Sequence, residues 1–179
     1  MKKNTVFFLG LMALMSCASL FAASIKAFDK SVPAEESATI YIPKGSVVFM
    51  INGTKYGVKG NGGESWQNKG KELQIAKPSF LIPSGEHTVR GAVENTYDYT
   101  ARNVTNTFIA GRHYQMVIKF PAGFNFGNVF KEFAKSNAVG MDWCFLDITE
   151  AVEAKKKGVP GYAEMVDSGE LGEGQVIVK

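Results

Sequence analysis

Cysteine and histidine are scarce in this chain, which holds two of each in 179 residues. If Cys17 is removed with a leader or lipidated, Cys144 stays alone, so the mature protein can form no intrachain disulfide. The two histidines, His87 and His113, each sit beside a tight turn, and no Cys, Asp or Glu stands at metal-ligand spacing around either one. We therefore expect turn-flanking histidines, and neither a metal nor another cofactor.

Motifs for nucleophilic catalysis and nucleotide binding are also missing. The chain contains no Gly-x-Ser-x-Gly elbow, phosphate loop or dinucleotide fingerprint, and the glycines between Gly57 and Gly63 are not followed by Lys-Ser/Thr. Cys144 stands between Trp143 and Phe145, a context that predicts a buried, inert thiol rather than a nucleophile. The sequence therefore predicts a protein that is not an enzyme.

Strong charge and long apolar runs are lacking once the N-terminus is set aside. Removing residues 1–23, which hold two lysines and no acidic residue, lowers the formal charge from +3 to +1. A nearly neutral domain argues against a nucleic-acid partner. No later segment approaches the about 20 apolar residues that a membrane-spanning helix needs. We expect membrane contact only through a lipid at the N-terminus.

The N-terminus itself has the organisation of a secretory signal peptide. Lys2 and Lys3 precede the apolar run 6–15, and small residues fill 16–23. Cleavage can follow Ala22 or Ala23, with Ala18 as a third option, and removal of residues 1–23 leaves 156 of the 179 residues, enough for one domain with a sizeable core. The protein is therefore expected to be exported, to the periplasm or the cell envelope.

A second way of processing the N-terminus competes with the first. Leu14-Met15-Ser16-Cys17 resembles the lipobox of bacterial lipoproteins, in which Cys17 would become the lipid-bearing first residue. Met15 fits that motif poorly, and the apolar residues after Cys17 differ from the polar tether expected of a lipoprotein. Ordinary cleavage is favoured, and lipidation at Cys17 is the alternative.

Turns and alternating apolar residues predict strands along most of the mature chain. Asn52-Gly53 is the strongest hairpin signal, because both residues tolerate positive φ. The segment 75–93 predicts a second hairpin around Ile82-Pro83-Ser84-Gly85. A third is predicted from 103–109 and 113–120, joined by Ala110-Gly111-Arg112.

Helical spacing occurs only near the C-terminus. Apolar residues recur every three or four positions over 127–136, and 149–157 has acidic residues early, lysines late and Gly158 as its stop. The predicted fold is mostly β, an antiparallel β-sandwich with one or two short C-terminal helices. We divide the chain into a signal peptide (1–23), an extended lead-in (24–37) and one domain (38–179) with helical additions from about residue 127.

The segment 38–120 resembles the PEGA-type and related small β-sandwich modules of bacterial envelope proteins. Their pattern is an apolar strand ending in Asp/Asn-Gly, then an apolar-Pro-x-Gly-x-His-x-Val hairpin followed by an aromatic residue. VVFMINGTKYG, FLIPSGEHTV and Tyr97 stand in those places here, across about half of the mature chain. The glycine-rich segment 57–71 and the helices beyond residue 120 depart from the pattern. The resemblance implies a non-catalytic module.

Aromatic residues near the predicted loops are the candidate ligand contacts. Trp66 lies in the glycine-rich segment 57–71, and Trp66, Tyr97 and Tyr99 could form a platform for a sugar or a peptide. The sequence therefore predicts an exported, non-catalytic envelope module that binds an envelope protein or a glycan through turn-end loops. The alternative is a small-ligand or metal carrier, or a minor enzyme, that uses His87 and His113.

Overall fold

The structure is a computed structural model, and it describes residues 25–63, 74–94, 99–119, 142–159, 161–165 and 174–178. A short 3-10 helix covers Ala34–Glu36, and helix α1 covers Thr149–Lys156. The strands are β1 (Lys26–Ala27), β2 (Ser37–Tyr41), β3 (Ser46–Ile51), β4 (Thr54–Lys59), β5 (Ser79–Pro83), β6 (Gly85–Glu94), β7 (Tyr99–Phe108), β8 (His113–Lys119), β9 (Asp142–Asp147), β10 (Gly161–Met165) and β11 (Gly174–Val178).

Two larger sheets pack together, which confirms the predicted mostly β sandwich. One sheet has the order β1-β5-β2-β8-β9 and the other β4-β3-β6-β7, while β10 and β11 form a separate antiparallel ribbon. The four-stranded sheet is antiparallel throughout. The five-stranded sheet is mixed, because β1 pairs with β5 and β2 with β8 in parallel. Both parallel neighbours are distant in sequence, so no turn residue signals them.

The main core lies between the two sheets and consists of inward-facing residues from both. Its largest fully buried side chains are aromatic or branched, including Trp143, Phe80, Phe108, Ile40 and Ile82. Burying each such side chain contributes about 1.5–3 kcal/mol. The rings of Phe108 and Phe145 meet edge to face with their centroids 5.1 Å apart, which joins the two sheets directly.

The Asn52-Gly53 hairpin prediction is confirmed. These two residues join β3 to β4 with φ of 49° and 76°, both in the left-handed region. The Asn52 side chain also accepts a hydrogen bond from the Thr88 amide at 3.0 Å, which ties the turn to β6. Local turn chemistry alone was sufficient to predict this element.

The other two predicted hairpins are wrong, although their strands exist. β5 belongs to the five-stranded sheet and β6 to the four-stranded one, so the chain crosses between sheets at Ser84. The step from β7 to β8 crosses back in the same way. Gly85 and Gly111, with φ of 122° and 74°, provide the backbone freedom at the two crossings. An alternating pattern predicts a strand but not its partner, and this accounts for both errors.

A second, smaller apolar layer covers the outer face of the five-stranded sheet. Its buried members come from β8, the end of β9 and α1, and they are Val117, Leu146, Ile148, Ala151 and Val152. Helix α1 matches the predicted helix over 149–157, and Gly158 follows it with φ of 74°. The other predicted helix, over 127–136, lies outside the described residues.

The ends of the domain differ from the expectation. The segment before Ser37, predicted as an extended lead-in, contains β1, which adds to the edge of the five-stranded sheet. Strands β10 and β11 pair with each other as an antiparallel ribbon near the C-terminus. The signal peptide and Cys17 lie outside the described residues. In the part of the chain that the structure describes, no helix is long and apolar enough to cross a membrane.

Candidate functional site

An open cleft of about 570 Å³ lies on the outer face of the five-stranded sheet. Its floor includes Tyr41 and Ser79, which are direct neighbours on β2 and β5. Alternation along β2 places Tyr41 outward, because Ile40 and Ile42 on either side of it are buried in the main core. The remaining lining comes from Lys155 of helix α1, from Asn61 and from the segment 75–78.

One wall of the cleft is the segment 74–78, which Gln115 holds against the sheet. The Gln115 side chain is fully buried. Its Oε1 accepts a hydrogen bond from the Ala76 amide at 2.9 Å, and its Nε2 donates to the Gln74 carbonyl at 3.1 Å. Because Tyr114 and Met116 face the main core, Gln115 points to the outer face, where a polar side chain would otherwise meet solvent. The buried Gln115 amide therefore ties this wall to the sheet.

The described part of the glycine-rich segment braces the same wall. Gly62 pairs with Lys77 in an antiparallel bridge, and the Asn61 amide donates to the Lys77 carbonyl at 2.9 Å. A side chain at Gly60 would overlap the Pro43 carbonyl oxygen, and one at Gly63 would lie 2.6 Å from the Ala76 Cα. These glycines permit close backbone approach, whereas the sequence suggested only a loop.

The opposite side of the cleft is helix α1, which a network of hydrogen bonds positions. The Asp147 carboxylate accepts from both the amide and the hydroxyl of Thr149, at 2.9 and 2.6 Å. The Thr149 hydroxyl oxygen in turn accepts from the His113 amide at 2.9 Å. An exposed ion pair of 3.4 Å joins Arg112 to Asp147. The start of the helix is thereby tied to β8, so Lys155 reaches the cleft from a fixed element.

His113 connects this network to the cleft through Tyr41. The Tyr41 hydroxyl lies 3.0 Å from the His113 Nδ1. Burial, followed by the positive charge of Lys156, lowers the pKa of His113, while Glu153 and Asp147 oppose the shift. Burial also raises the pKa of Tyr41. The Tyr41 hydroxyl and the His113 Nδ1 share one hydrogen bond, in which Nδ1 accepts in one imidazole tautomer and donates in the other.

The cleft combines neutral polar groups with positive charge. Tyr41, Asn61 and Ser79 offer hydroxyl and amide groups, and Lys77 and Lys155 bring two ammonium groups from separate elements. No carboxylate or thiol is among the described residues that line it. Such a surface can bind a ligand that is rich in hydrogen-bonding groups and carries negative charge.

The predicted aromatic platform cannot be placed as a unit. Trp66 and Tyr97 lie outside the described residues. Tyr99 opens β7, where its backbone pairs with Glu94, and its side chain is not among those described. Cys17, the predicted lipidation position, also lies outside them. The platform and the lipid anchor remain predictions.

The two histidines lie on different sheets, with separate partners. His87, on β6, is 3.0 Å from the Pro83 carbonyl through Nε2 and 2.8 Å from the Asn52 amide nitrogen through Nδ1. A neutral ring that carries its proton on Nε2 satisfies both contacts. His113 contacts Tyr41 instead. Over the described ranges, no group of three or more His, Cys, Asp or Glu residues could hold a metal ion.

Cys144 is half-buried, whereas the sequence predicted burial. Trp143 and Phe145 face the main core, so alternation directs the thiol to the outer layer, where it packs against the smaller apolar cluster. Its aromatic neighbours Trp143 and Phe145 therefore lie on the opposite face of β9 from Cys144. Aromatic residues next to a strand position do not report that position's own environment.

Sequence reasoning missed Tyr41, Lys77 and Lys155 as site residues. Tyr41 gave a weak signal, as a tyrosine at the outward position of a predicted strand. The lysines gave none, because surface lysines are common and these two are far apart in sequence. Only Asn61 fell within the glycine-rich segment 57–71, in which Trp66 is a predicted ligand contact.

Comparisons with known proteins add no family to this description. No protein-family model matches the chain, and neither the curated proteins nor the solved structures gave a match.

Proposed function

We propose that the mature chain is an exported, non-catalytic module of the bacterial cell envelope that binds a glycan. The observation that carries this proposal is the cleft, in which Tyr41, Asn61 and Ser79 present hydrogen-bonding groups on one concave surface. Its volume of about 570 Å³ falls within the range of about 300–1,000 Å³ that is usual for ligand sites.

The character of the lining favours binding over turnover. Hydrolysis of a glycoside normally uses a pair of carboxylates on either side of the bond. The described lining offers hydroxyl, amide and ammonium groups instead. The leader sequence supports an envelope location. The carrier based on His87 and His113 has no comparable support, because the partners of these two residues differ.

Filling the cleft tests the proposal. Ser79→Trp places a large side chain on the cleft floor, whereas Thr107→Trp makes the same size of change at an exposed position on the other sheet. Binding of each purified variant to polysaccharide isolated from the host envelope would be measured by isothermal titration calorimetry. We expect Ser79→Trp to weaken binding at least tenfold and Thr107→Trp to leave it unchanged. Equal binding by the two variants would refute the cleft as the contact site.

The envelope location is tested separately by intact mass. Protein purified from the host's membrane and soluble fractions is expected to start near Ala23 or Ser24, or to carry acyl chains on Cys17. Either mass would support export, and the second would support a lipid anchor. An intact Met1 in the purified protein would contradict the export proposal.

A further inference from the structure

We propose that the cleft selects a negatively charged glycan, specifically an oligosaccharide with carboxylate groups, and that Lys77 and Lys155 bind those groups. This inference rests on the proposed function and goes beyond it, because it names the chemical class of the ligand and the residues that select it.

The charge of the cleft is the first argument. Lys77 lies on the wall that Gln115 ties to the sheet, and Lys155 lies in the last turn of α1, so two lysines line the cleft from different elements. The described lining contains no carboxylate that would neutralise them. The neighbouring Lys156 is paired with Glu153 at 2.7 Å, whereas neither cleft lysine forms an ion pair with another of the described residues. A ligand carboxylate would complete this arrangement.

The neutral polar part of the lining is the second argument, and it favours a saccharide over an acidic peptide. The Tyr41 hydroxyl oxygen, which is hydrogen-bonded to His113, keeps a lone pair that can accept in either tautomer of the imidazole. A sugar hydroxyl can donate to this oxygen, whereas a carboxylate can only accept. The Asn61 side chain adds both a donor and an acceptor. The neutral part of the cleft therefore suits hydroxyl groups, and the lysines suit carboxylates.

The rigidity of the two walls is the third argument. Lys77 is held through its own amide and carbonyl, which bond to the Gly62 carbonyl at 3.0 Å and to the Asn61 amide at 2.9 Å. Helix α1 is held through Thr149 and Asp147. A cleft whose walls are set before binding loses less conformational entropy when a ligand enters.

The test compares two ligands that share one sugar backbone and differ in whether their carboxyl groups are ionised or methyl-esterified. Trigalacturonic acid and its fully methyl-esterified form have the same rings and linkages, and the second carries no carboxylate. Titration calorimetry with the mature chain is expected to give at least tenfold weaker binding for the ester. Binding of the acid is expected to weaken as salt is raised, since exposed charges are screened.

Lysine variants identify the contacts. We expect Lys77→Gln and Lys155→Gln each to weaken binding of the acid about 2- to 5-fold and the double variant about 10-fold, as is usual for exposed ion pairs. Lys59→Gln, at an exposed position on β4 of the other sheet, is the matched control and should have no effect. The double variant should bind the ester as the unmodified protein does.

Several outcomes would overturn the inference. Equal binding of acid and ester that Ser79→Trp abolishes would disprove charge selection while supporting the proposed function. If a hexaglutamate peptide bound as tightly as the acid, with the same loss in the lysine variants, the ligand class would be an acidic peptide rather than a saccharide. Insensitivity of all binding to Ser79→Trp would refute both the inference and the proposed function.

Discussion

Replacing Gln115 by methionine should loosen the cleft wall and destabilise the domain. Gln115 is fully buried, and its amide bonds the Ala76 amide and the Gln74 carbonyl. Methionine has a similar length and shape but cannot form either hydrogen bond. Because Ala76 is also fully buried, its N–H would be left without a partner.

The expected cost follows from these two bonds. A buried donor without a partner costs about 1–3 kcal/mol, while the exposed Gln74 carbonyl can bond to water and loses little. Burial of an apolar side chain in place of an amide offsets part of the loss. We therefore expect Gln115→Met to lower the free energy of unfolding by about 2 kcal/mol.

Urea denaturation measures this change directly, and hydrogen exchange locates it. Asn103→Met, on the exposed face of β7, is the control and should change the free energy of unfolding by less than about 0.5 kcal/mol. Exchange of the Ala76 amide should accelerate in Gln115→Met beyond what global unfolding explains. If Gln115→Met matched the control in stability and the Ala76 amide kept its protection, the wall would not depend on Gln115.

Three further predictions concern stability. A Cβ at Gly91 would lie 2.9 Å from the Val47 carbonyl oxygen and 3.2 Å from both Met116 and Trp143, so Gly91→Ala should cost about 1–3 kcal/mol in thermal or urea unfolding. Gly57→Ala, with nothing within 4 Å, is its control, and equal stability of the two variants would contradict the close packing. Asn52→Ala should cost about 1–2 kcal/mol, because it loses two side-chain hydrogen bonds and forces alanine into positive φ. Asn52→Gly, which keeps the backbone conformation, should cost less, and the reverse order would refute this account. Folding lowers the pKa of His113, so the unfolded state binds a proton at a higher pH than the folded state does. The contribution of His113 to stability is therefore present above about pH 6.5 and decreases as the pH falls below that value. His113→Gln should therefore show a smaller loss of urea-midpoint stability between pH 7.5 and 5.5 than the unmodified protein, and an identical loss would show that His113 is not desolvated.

The parts of the fold that the sequence predicted are those that local chemistry determines. The Asn52-Gly53 turn depends on two residues that accept positive φ, and helix α1 on charges and a stop glycine within ten residues. Inward and outward positions on β8 follow from alternation, with Tyr114 and Met116 in the main core. Each of these features can be deduced from a short window of sequence.

The pairing of strands could not be predicted in the same way. Pro83 and Gly85 are equally suited to a tight hairpin and to a crossing between sheets. Whether a hairpin or a crossing forms depends on which other strands each of the two strands pairs with. β5 lies between β1 and β2, and β6 between β3 and β7, so the partners of each strand are set by segments on both sides in sequence. Turn residues alone therefore overestimate hairpins in a sandwich.

The candidate site was the least predictable feature, because its lining residues are positioned by other residues that do not line the cleft. Tyr41 is held at the cleft floor by its hydrogen bond to His113, and Lys77 lies on the wall that Gln115 ties to the sheet. Gln115 looks like an ordinary polar residue of a strand, and His113 like one beside a turn. Since these supporting contacts join positions 36 to 72 residues apart, a change at Gln115 or His113 should alter binding without touching the ligand. We therefore expect Gln115→Met to bind the ligand more weakly, when affinity is measured under conditions where the variant stays folded. Unchanged affinity would show that the lining residues alone determine binding.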